Sequence, residues 1–324
     1  MKEEDIRPQA IFDEYLRLAS LDAAKYFGSA KREEICCPAC NGNGTFIFEK
    51  HGFAYEECPN CQTIFVTPRP DVKAFFNYYQ NSDSAKYFAT TFYKATETAR
   101  RDRLWRPKVL EVKSILDKYH LQDVEIVDIG GGYGIFAEEF KRTTQASITI
   151  IEPGPDLANI CRQKGFPVIQ KFLEKVNQSD LSELPKAFVS FELFEHLHNP
   201  SLFFKQLRSL MRSGDLFIFT TLSGTGVDIR ALWDASNSIS LQHLNFFNPH
   251  SVRIFLERVG MRTLEIKTPG KLDLDILSNN YTKIKDQFWK SFLAQATIPE
   301  RDAWQTFISA HGYSSHMWVV CQCP

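Results

Sequence analysis

The sequence predicts a doubly wound α/β domain, its parallel sheet covered by helices on both faces, preceded by a small cysteine-clasped module. Three observations carry this. From residue 124 onward, continuous apolar runs (EIVDIG, SITIIE, KAFVSFEL, LFIFTT) alternate with amphipathic segments, as strands buried on both faces do. The first run enters a turn with four glycines, VDIGGGYGIF. Five of the eight cysteines fall between Cys36 and Cys61.

In chain order, residues 1–34 read as a helical segment, because Ile11, Phe12, Tyr15, Leu16 and Ala19 recur at helical spacing. Residues 35–70 carry the paired cysteines, glycines and the β-prone runs TFIFEK and TIFVTP, and close in Pro68-Arg69-Pro70, expected as a linker. Residues 71–120 return to helical spacing with many aromatics, of which Phe75, Phe76 and Phe88 are expected in the core. Residues 121–324 form the α/β domain. Its helices are expected at 134–142, up to Gly165, from Asn199-Pro200 to Gly214, and from Asn248-Pro249 to Gly260. Asn as cap, Pro as first helical residue and Gly beyond the end mark such boundaries. RTLEIK and the final MWVVCQC read as the last two strands, with a helical insertion at about 271–312 between them.

The glycine turn admits few ligands. Taking Gly130 and Gly132 as the start of G-x-G-x-x-G places Ile135 where the third glycine belongs, and no lysine follows Gly134 as a P-loop requires. What fits is D-x-G-x-G-x-G over Asp128, Gly130, Gly132 and Gly134. By this motif the chain resembles the class I S-adenosylmethionine-dependent methyltransferases. Further matches follow in order: Glu152 closing the second strand, SFELFEHLHNP after the fourth, and QHLNFFNPHSV before the fifth helix. The FELFEHLHNP stretch is similar to the small-molecule, quinone-biosynthesis-like branch. The resemblance covers about residues 71–324 and implies a seven-stranded, mostly parallel sheet and S-adenosylmethionine as cofactor. It implies cofactor contacts from Asp128, Gly130, Gly132, Tyr133, Gly134, Glu152 and Glu192, and from Tyr87 in an upstream helix that closes over the methionine end. Taken alone, the turn is also compatible with a plain strand-to-helix connection.

Methyl transfer from a sulfonium needs chiefly in-line placement, with a base if the acceptor is a hydroxyl. His243, in the loop where the family builds its acceptor pocket, is the first candidate for that base, and His196 the second. A histidine at either place serves equally to hold its loop by hydrogen bonds. Glu192, Glu195 and His196 form E-x-x-E-H, which binds a divalent cation in some resembling quinone O-methyltransferases and only organises the loop in many others. The run Arg100, Arg101, Arg103, Arg106 and Lys108 fits either a phosphorylated or nucleotide-linked acceptor or a solvated helix face.

Cys37-Pro-Ala-Cys40 and Cys58-Pro-Asn-Cys61 lie 17 residues apart, the spacing of a four-thiolate zinc ribbon. Four thiolates leave no open position, so the expected zinc is structural. Cys36 offers a slipped alternative of less apt spacing, and Cys161, Cys321 and Cys323 read as small core residues.

Zinc ribbons often bind nucleic acid, which makes a zinc-ribbon RNA methyltransferase the main alternative. The segment between the knuckles carries three glutamates, however, and net charge is −1 from 38 basic and 39 acidic residues, so nucleic acid is not expected as partner. The reading favoured is a ribbon that acts as lid or docking platform for a small-molecule acceptor, a sugar-type or nucleotide-linked metabolite methylated on a hydroxyl or carbon. A non-catalytic zinc-ribbon scaffold is the third reading. The charged start lacks the apolar core of a signal peptide and no run is long enough to span a bilayer, so a cytoplasmic protein without membrane contact is expected. No feature bears on oligomeric state.

Overall fold

The structure is a computed structural model describing residues 1–324. A seven-stranded sheet forms its centre: β1 Glu125–Ile129, β2 Ile148–Ile151, β3 Val168–Ile169, β4 Lys186–Phe191, β5 Leu216–Leu222, β6 Arg262–Lys267 and β7 His316–Gln322. Their order across the sheet is β6-β7-β5-β4-β1-β2-β3. All are parallel except β7, which runs antiparallel between β5 and β6.

Alternate residues of each strand feed opposite faces. Val127, Phe188, Phe217 and Phe219 meet Phe203, Leu207, Val252 and Phe255 on one side. Ile126, Val189, Ile218 and Trp318 meet Val109, Val112, Phe136 and Phe140 on the other. Strand order reverses between β1 and β4, so the crevice outside their carboxyl ends is where such a sheet binds ligands.

Helix Pro200–Leu210 stops earlier than expected: the chain leaves in extended form at Met211, and Gly214 (φ +94°) instead turns into β5. The loop after β5 contains a helix, Val227–Leu232, with no counterpart in the sequence reading. Between β6 and β7 lie helices Asp273–Asn279, Gln287–Gln295 and Ile298–Ala310.

Ahead of the sheet, Thr45–Lys50 and Phe53–Glu57 form a hairpin joined by Ile64–Val66. Its two-residue turn, His51-Gly52, has positive φ at both positions, the conformation whose twist suits a hairpin. The fourth strand of this small sheet is Asn245–Phe246, from the loop after β5. Val66 N–H also donates to the Leu244 carbonyl. The cysteine module and the α/β domain thus share one sheet.

Pro68-Arg69-Pro70 is no free linker. Arg69–Pro70 pairs with Arg32–Glu33, and the Arg69 side chain is fully buried. Its guanidinium donates to the carbonyls of Val66 (3.1 Å) and His198 (2.7 Å) and to Asn245 Oδ1 (3.1 Å). The prolines fix an extended backbone, and the donor fork between them ties three segments together.

Arg69→Ala would leave these acceptors without their donor, and is expected to cost about 3 kcal/mol of stability. Urea unfolding monitored by tryptophan fluorescence measures it; a loss below about 1 kcal/mol would contradict the assignment.

Candidate functional site

At the carboxyl end of β1 the turn is shaped by left-handed backbone at Gly130, Gly132 and Gly134 (φ +73°, +54° and +72°), which only glycine adopts without cost. Gly131 is closed by contact: a Cβ there would lie 2.6 Å from Ile150 Cγ2. Above Gly132 the space is open, the nearest atom to an added Cβ being the Gly130 carbonyl oxygen at 3.9 Å. Glu152, just past β2, accepts the Gly132 N–H (3.0 Å) on one oxygen and the Gly154 N–H (2.8 Å) on the other. Each oxygen keeps a lone pair for a further donor.

Asp128 is buried, and its Oδ2 has no hydrogen-bond partner. Burial, with the Glu152 charge beside it, pushes its carboxyl up to about 7. An unpaired buried acceptor beside a free backbone cradle is what a site for a ligand with donor groups requires.

Glu192 lies just past β4, in left-handed backbone (φ +55°) pinned by its N–H to the Thr220 carbonyl. Its Oε1 accepts from Lys108 Nζ (2.7 Å) and Thr220 Oγ1 (2.8 Å) and lies 3.5 Å from His316 Nδ1. Burial favours the neutral acid, but Lys108, His316 and Thr220 outweigh it and hold the carboxyl far below the usual range. The Lys108 ammonium also sits 5.1 Å from the Trp105 ring and 5.3 Å from that of Phe191.

The E-x-x-E-H cluster is therefore divided. Glu192 faces Lys108, whereas Glu195 and His196 meet His243, all three presenting ligand-type atoms within 4.8 Å of one another. Glu195 is buried, accepts from Thr221 Oγ1 (2.9 Å), and is pushed up to about 8 by burial and by Glu192. The His196 and His243 rings cross edge-on at 4.6 Å, and Tyr79 Oη lies 3.4 Å from His196 Nδ1. His243 Nδ1 is 2.6 Å from the Ser238 carbonyl. A carbonyl only accepts, so Nδ1 carries the proton and Nε2 is left as an acceptor. Burial pulls the ring down to about 4, so it is neutral near pH 7.

The remaining sequence candidates fall in several places. Tyr133 stacks on Tyr93 (5.9 Å) beneath Lys164 (4.4 Å). Tyr87 packs against the apolar cluster of Phe12, Tyr15 and Phe92. The basic run is split between a solvated face, where Arg103 and Arg106 are exposed, and the protein interior, where Arg100, Arg101 and Lys108 turn inward. Arg101 pairs with Glu97, Glu138 and Glu139, Arg103 with Asp5, Arg106 with Asp102 and Glu139, and Lys108 with Glu192. Carboxylates spread along the chain pair with these four, a match that one-dimensional spacing does not reveal, while Arg100 lies over the Phe92 and Tyr93 rings at 5.8 and 5.1 Å. Thr220 and His316 were missed because their role exists only where β4, β5 and β7 lie side by side.

The four cysteines converge. Cys37 and Cys61 sulfurs lie 3.5 Å apart, Cys40 and Cys58 sulfurs 3.4 Å, and all four within 4.8 Å. Both knuckles fold alike: Asn41 N–H returns to the Cys37 carbonyl and Gln62 N–H to that of Cys58. A cleft of about 400 Å³, lined by Val124, Ser147 and Leu184, lies by contrast at the amino ends of the strands, away from these groups.

Known proteins share parts of this sequence and its fold. A family described as "Methyltransferase domain" matches residues 97–266. Ubiquinone biosynthesis O-methyltransferase of Colwellia psychrerythraea is 26% identical over 119 residues, 35% of this chain and 48% of that protein. The match thus spans about half the length of that curated relative. Among solved structures, the plantazolicin methyltransferase BamL, in complex with a triazolic desmethylPZN analog and SAH, shares the fold. Its TM-score is 0.51 at 12% identity, over 76% of this chain and 93% of that one. The related BpumL in complex with SAH gives 0.48 at 13% identity, over 76% and 93%.

The Asp128 carboxyl is expected to titrate near 7, and Glu152→Gln to lower that value by removing the neighbouring charge. Because the folded value lies above the ordinary one, Asp128 holds a proton in the native state that the unfolded chain has released. Its contribution to stability is complete at low pH and is lost as pH rises through about 7. A carboxyl-detected NMR titration tests this, and an Asp128 value unmoved by Glu152→Gln would refute the coupling.

Proposed function

Because the chain belongs to the methyltransferase-domain family, whose match takes in residues 97–266 of 324, we propose that it is an S-adenosylmethionine-dependent methyltransferase. Its acceptor is a small molecule, a hydroxyl or carbon of a sugar-type or nucleotide-linked metabolite. One observation carries the cofactor reading: an open glycine turn flanked by Glu152, whose oxygens are aimed by two backbone N–H groups, and by Asp128, whose buried Oδ2 has no partner.

S-adenosylmethionine, when bound, supplies an electrophilic methyl group on a sulfonium. Glu152 is suited to its ribose hydroxyls, because the carboxylate is already oriented and retains lone pairs. Asp128 and the backbone of Gly130, Gly132 and Gly134 line the same turn. Glu192, kept ionised by Lys108 at the adjacent strand end, places negative charge where a cation is to be received. For a hydroxyl acceptor, His243 Nε2 takes the proton, its tautomer fixed by the Ser238 carbonyl. His196 and Tyr79 hold the neighbouring wall.

The four cysteines fit a structural zinc. A tetrahedral centre with bonds of about 2.3 Å needs sulfurs about 3.8 Å apart, against observed pairs at 3.4 and 3.5 Å and an outer limit of 4.8 Å. Bound there, the metal would fix two knuckles whose backbone reaches the α/β domain. Asn248 Nδ2 donates to the Cys61 carbonyl, and Arg258 donates to those of Pro38 and Ala39.

S-adenosylhomocysteine is expected to bind the purified chain in calorimetry at pH 8, where Asp128 is ionised, and Asp128→Asn and Glu152→Gln each to weaken it by about 1.5–3 kcal/mol, the loss of a charged hydrogen-bond partner. Absence of binding to the unaltered chain would refute the reading. Elemental analysis should find about one zinc per chain. Cys58→Ser should lose the metal and depress methyl transfer more than S-adenosylhomocysteine binding, since the ribbon borders the acceptor side.

A further inference from the structure

A second cavity, of about 340 Å³, opens where helix Gln9–Asp22, the tip of the ribbon hairpin and the 234–241 stretch meet. Its volume falls in the range of small-ligand sites. One wall is apolar, from Tyr15, Leu16 and Ile239. The other is cationic. Half-buried Lys50 and exposed Lys283 supply its charge, with Asp234 as the one acid; His51 also lines it, but burial and Lys50 lower its pKa, so it adds no charge near neutral pH.

These two ammonium groups have no carboxylate partner. Lys50 Nζ donates to the Ser236 carbonyl (2.8 Å) and Lys283 Nζ to Asn280 Oδ1 (2.9 Å). Asp234 is engaged at its rim by Lys285 at 3.7 Å. Arg101 and Lys108, by contrast, each meet a carboxylate within 3 Å. Burial and the nearby Lys283 pull the Lys50 ammonium down to about 8, with Asp234 opposing them. A half-buried cation left without a counterion is stabilised by an anion brought from outside.

The cavity is also coupled to the candidate acceptor side. Ser240, in its wall, accepts the His243 N–H (3.2 Å) through its carbonyl, and Tyr55 Oη donates to the carbonyls of both Ser240 and His243. One turn of chain therefore joins the cationic wall to the ring assigned as base.

We propose that this cavity binds the phosphate of an anionic acceptor, with Lys50 and Lys283 as its donors and Tyr15, Leu16 and Ile239 packing against the organic portion. The inference rests on the methyltransferase reading for the use made of the bound molecule, and it narrows the acceptor to phosphate-bearing metabolites. A nucleotide-linked sugar and a simple sugar phosphate share this chemistry.

The test uses the zinc-loaded full chain and calorimetry at low salt with UDP-glucose, glucose 1-phosphate, methyl glucoside and a short RNA. Phosphorylated sugars should bind and methyl glucoside should not. Lys50→Gln with Lys283→Gln should weaken binding by about tenfold or more, with S-adenosylhomocysteine affinity unchanged. Asp234→Asn should strengthen it, a gain that misfolding does not imitate. UDP-glucose binding tighter than glucose 1-phosphate identifies a nucleotide-linked source, and equal binding a sugar phosphate. The proposal is overturned if neither phosphorylated sugar binds, if the lysine variant binds as well as the unaltered chain, or if only RNA binds through these lysines. Failure of S-adenosylhomocysteine to bind would instead overturn the methyltransferase reading, leaving the anion result to be judged separately.

Discussion

Two residues of the α/β domain, Asn245 and Phe246, complete the sheet of the cysteine module by pairing with Phe65 and Ile64, and the buried Arg69 guanidinium is bolted across the same seam. Much of the proposed acceptor side depends on this junction. A short strand at a sheet edge has weak register of its own. Here it is held by backbone pairing, by the Arg69 fork and by Asn245 Nδ2 donating to the Leu197 carbonyl. The loop bearing His243 and the turn bearing Glu195 and His196 are thereby fixed to one another before any ligand arrives. A guanidinium serves better than an ammonium at this place, because its planar fork reaches three acceptors in different segments.

The carboxyl ends of the central strands β1 and β4 gather buried carboxyls in unlike surroundings. Glu192 is held ionised by Lys108, while Asp128 and Glu195 are pushed upward by burial and by neighbouring acids. Groups a few residues apart thus occupy different protonation states near neutral pH, which is how one fold presents both acceptors and donors to a ligand. Burying charge costs stability unless it is paired. The pairing of Lys108 with Glu192 and Thr220 meets that cost at the centre, and the unpaired Asp128 oxygen leaves part of it for a ligand to offset.

The parallel sheet could be read in advance because its strands are continuous apolar runs and its helices carry caps such as Asn199 and Asn248, whose side chains do accept the expected N–H groups. The glycine turn and Glu152 were readable because their spacing along the chain reflects one strand-helix-strand unit, from β1 to the end of β2. What spacing does not encode is contact between distant segments. Asn245–Phe246 looks like loop until it meets the ribbon, and Pro68-Arg69-Pro70 looks like a linker until Arg69 finds carbonyls near 66 and 198. The E-x-x-E-H letters suggested one cluster, but Glu192 is drawn to Lys108, and His243 takes its place beside His196.

Cofactor and acceptor are proposed to share the carboxyl ends of the central strands, with the ribbon completing the acceptor side. A crystal structure of the zinc-loaded chain with S-adenosylhomocysteine tests this most directly. The expected result is the ribose hydroxyls on Glu152, the ligand crossing the Gly130–Gly134 turn, and the sulfur facing the space between Glu192 and His243. A ligand seated away from Glu152, or a sulfur directed away from His243, would contradict it.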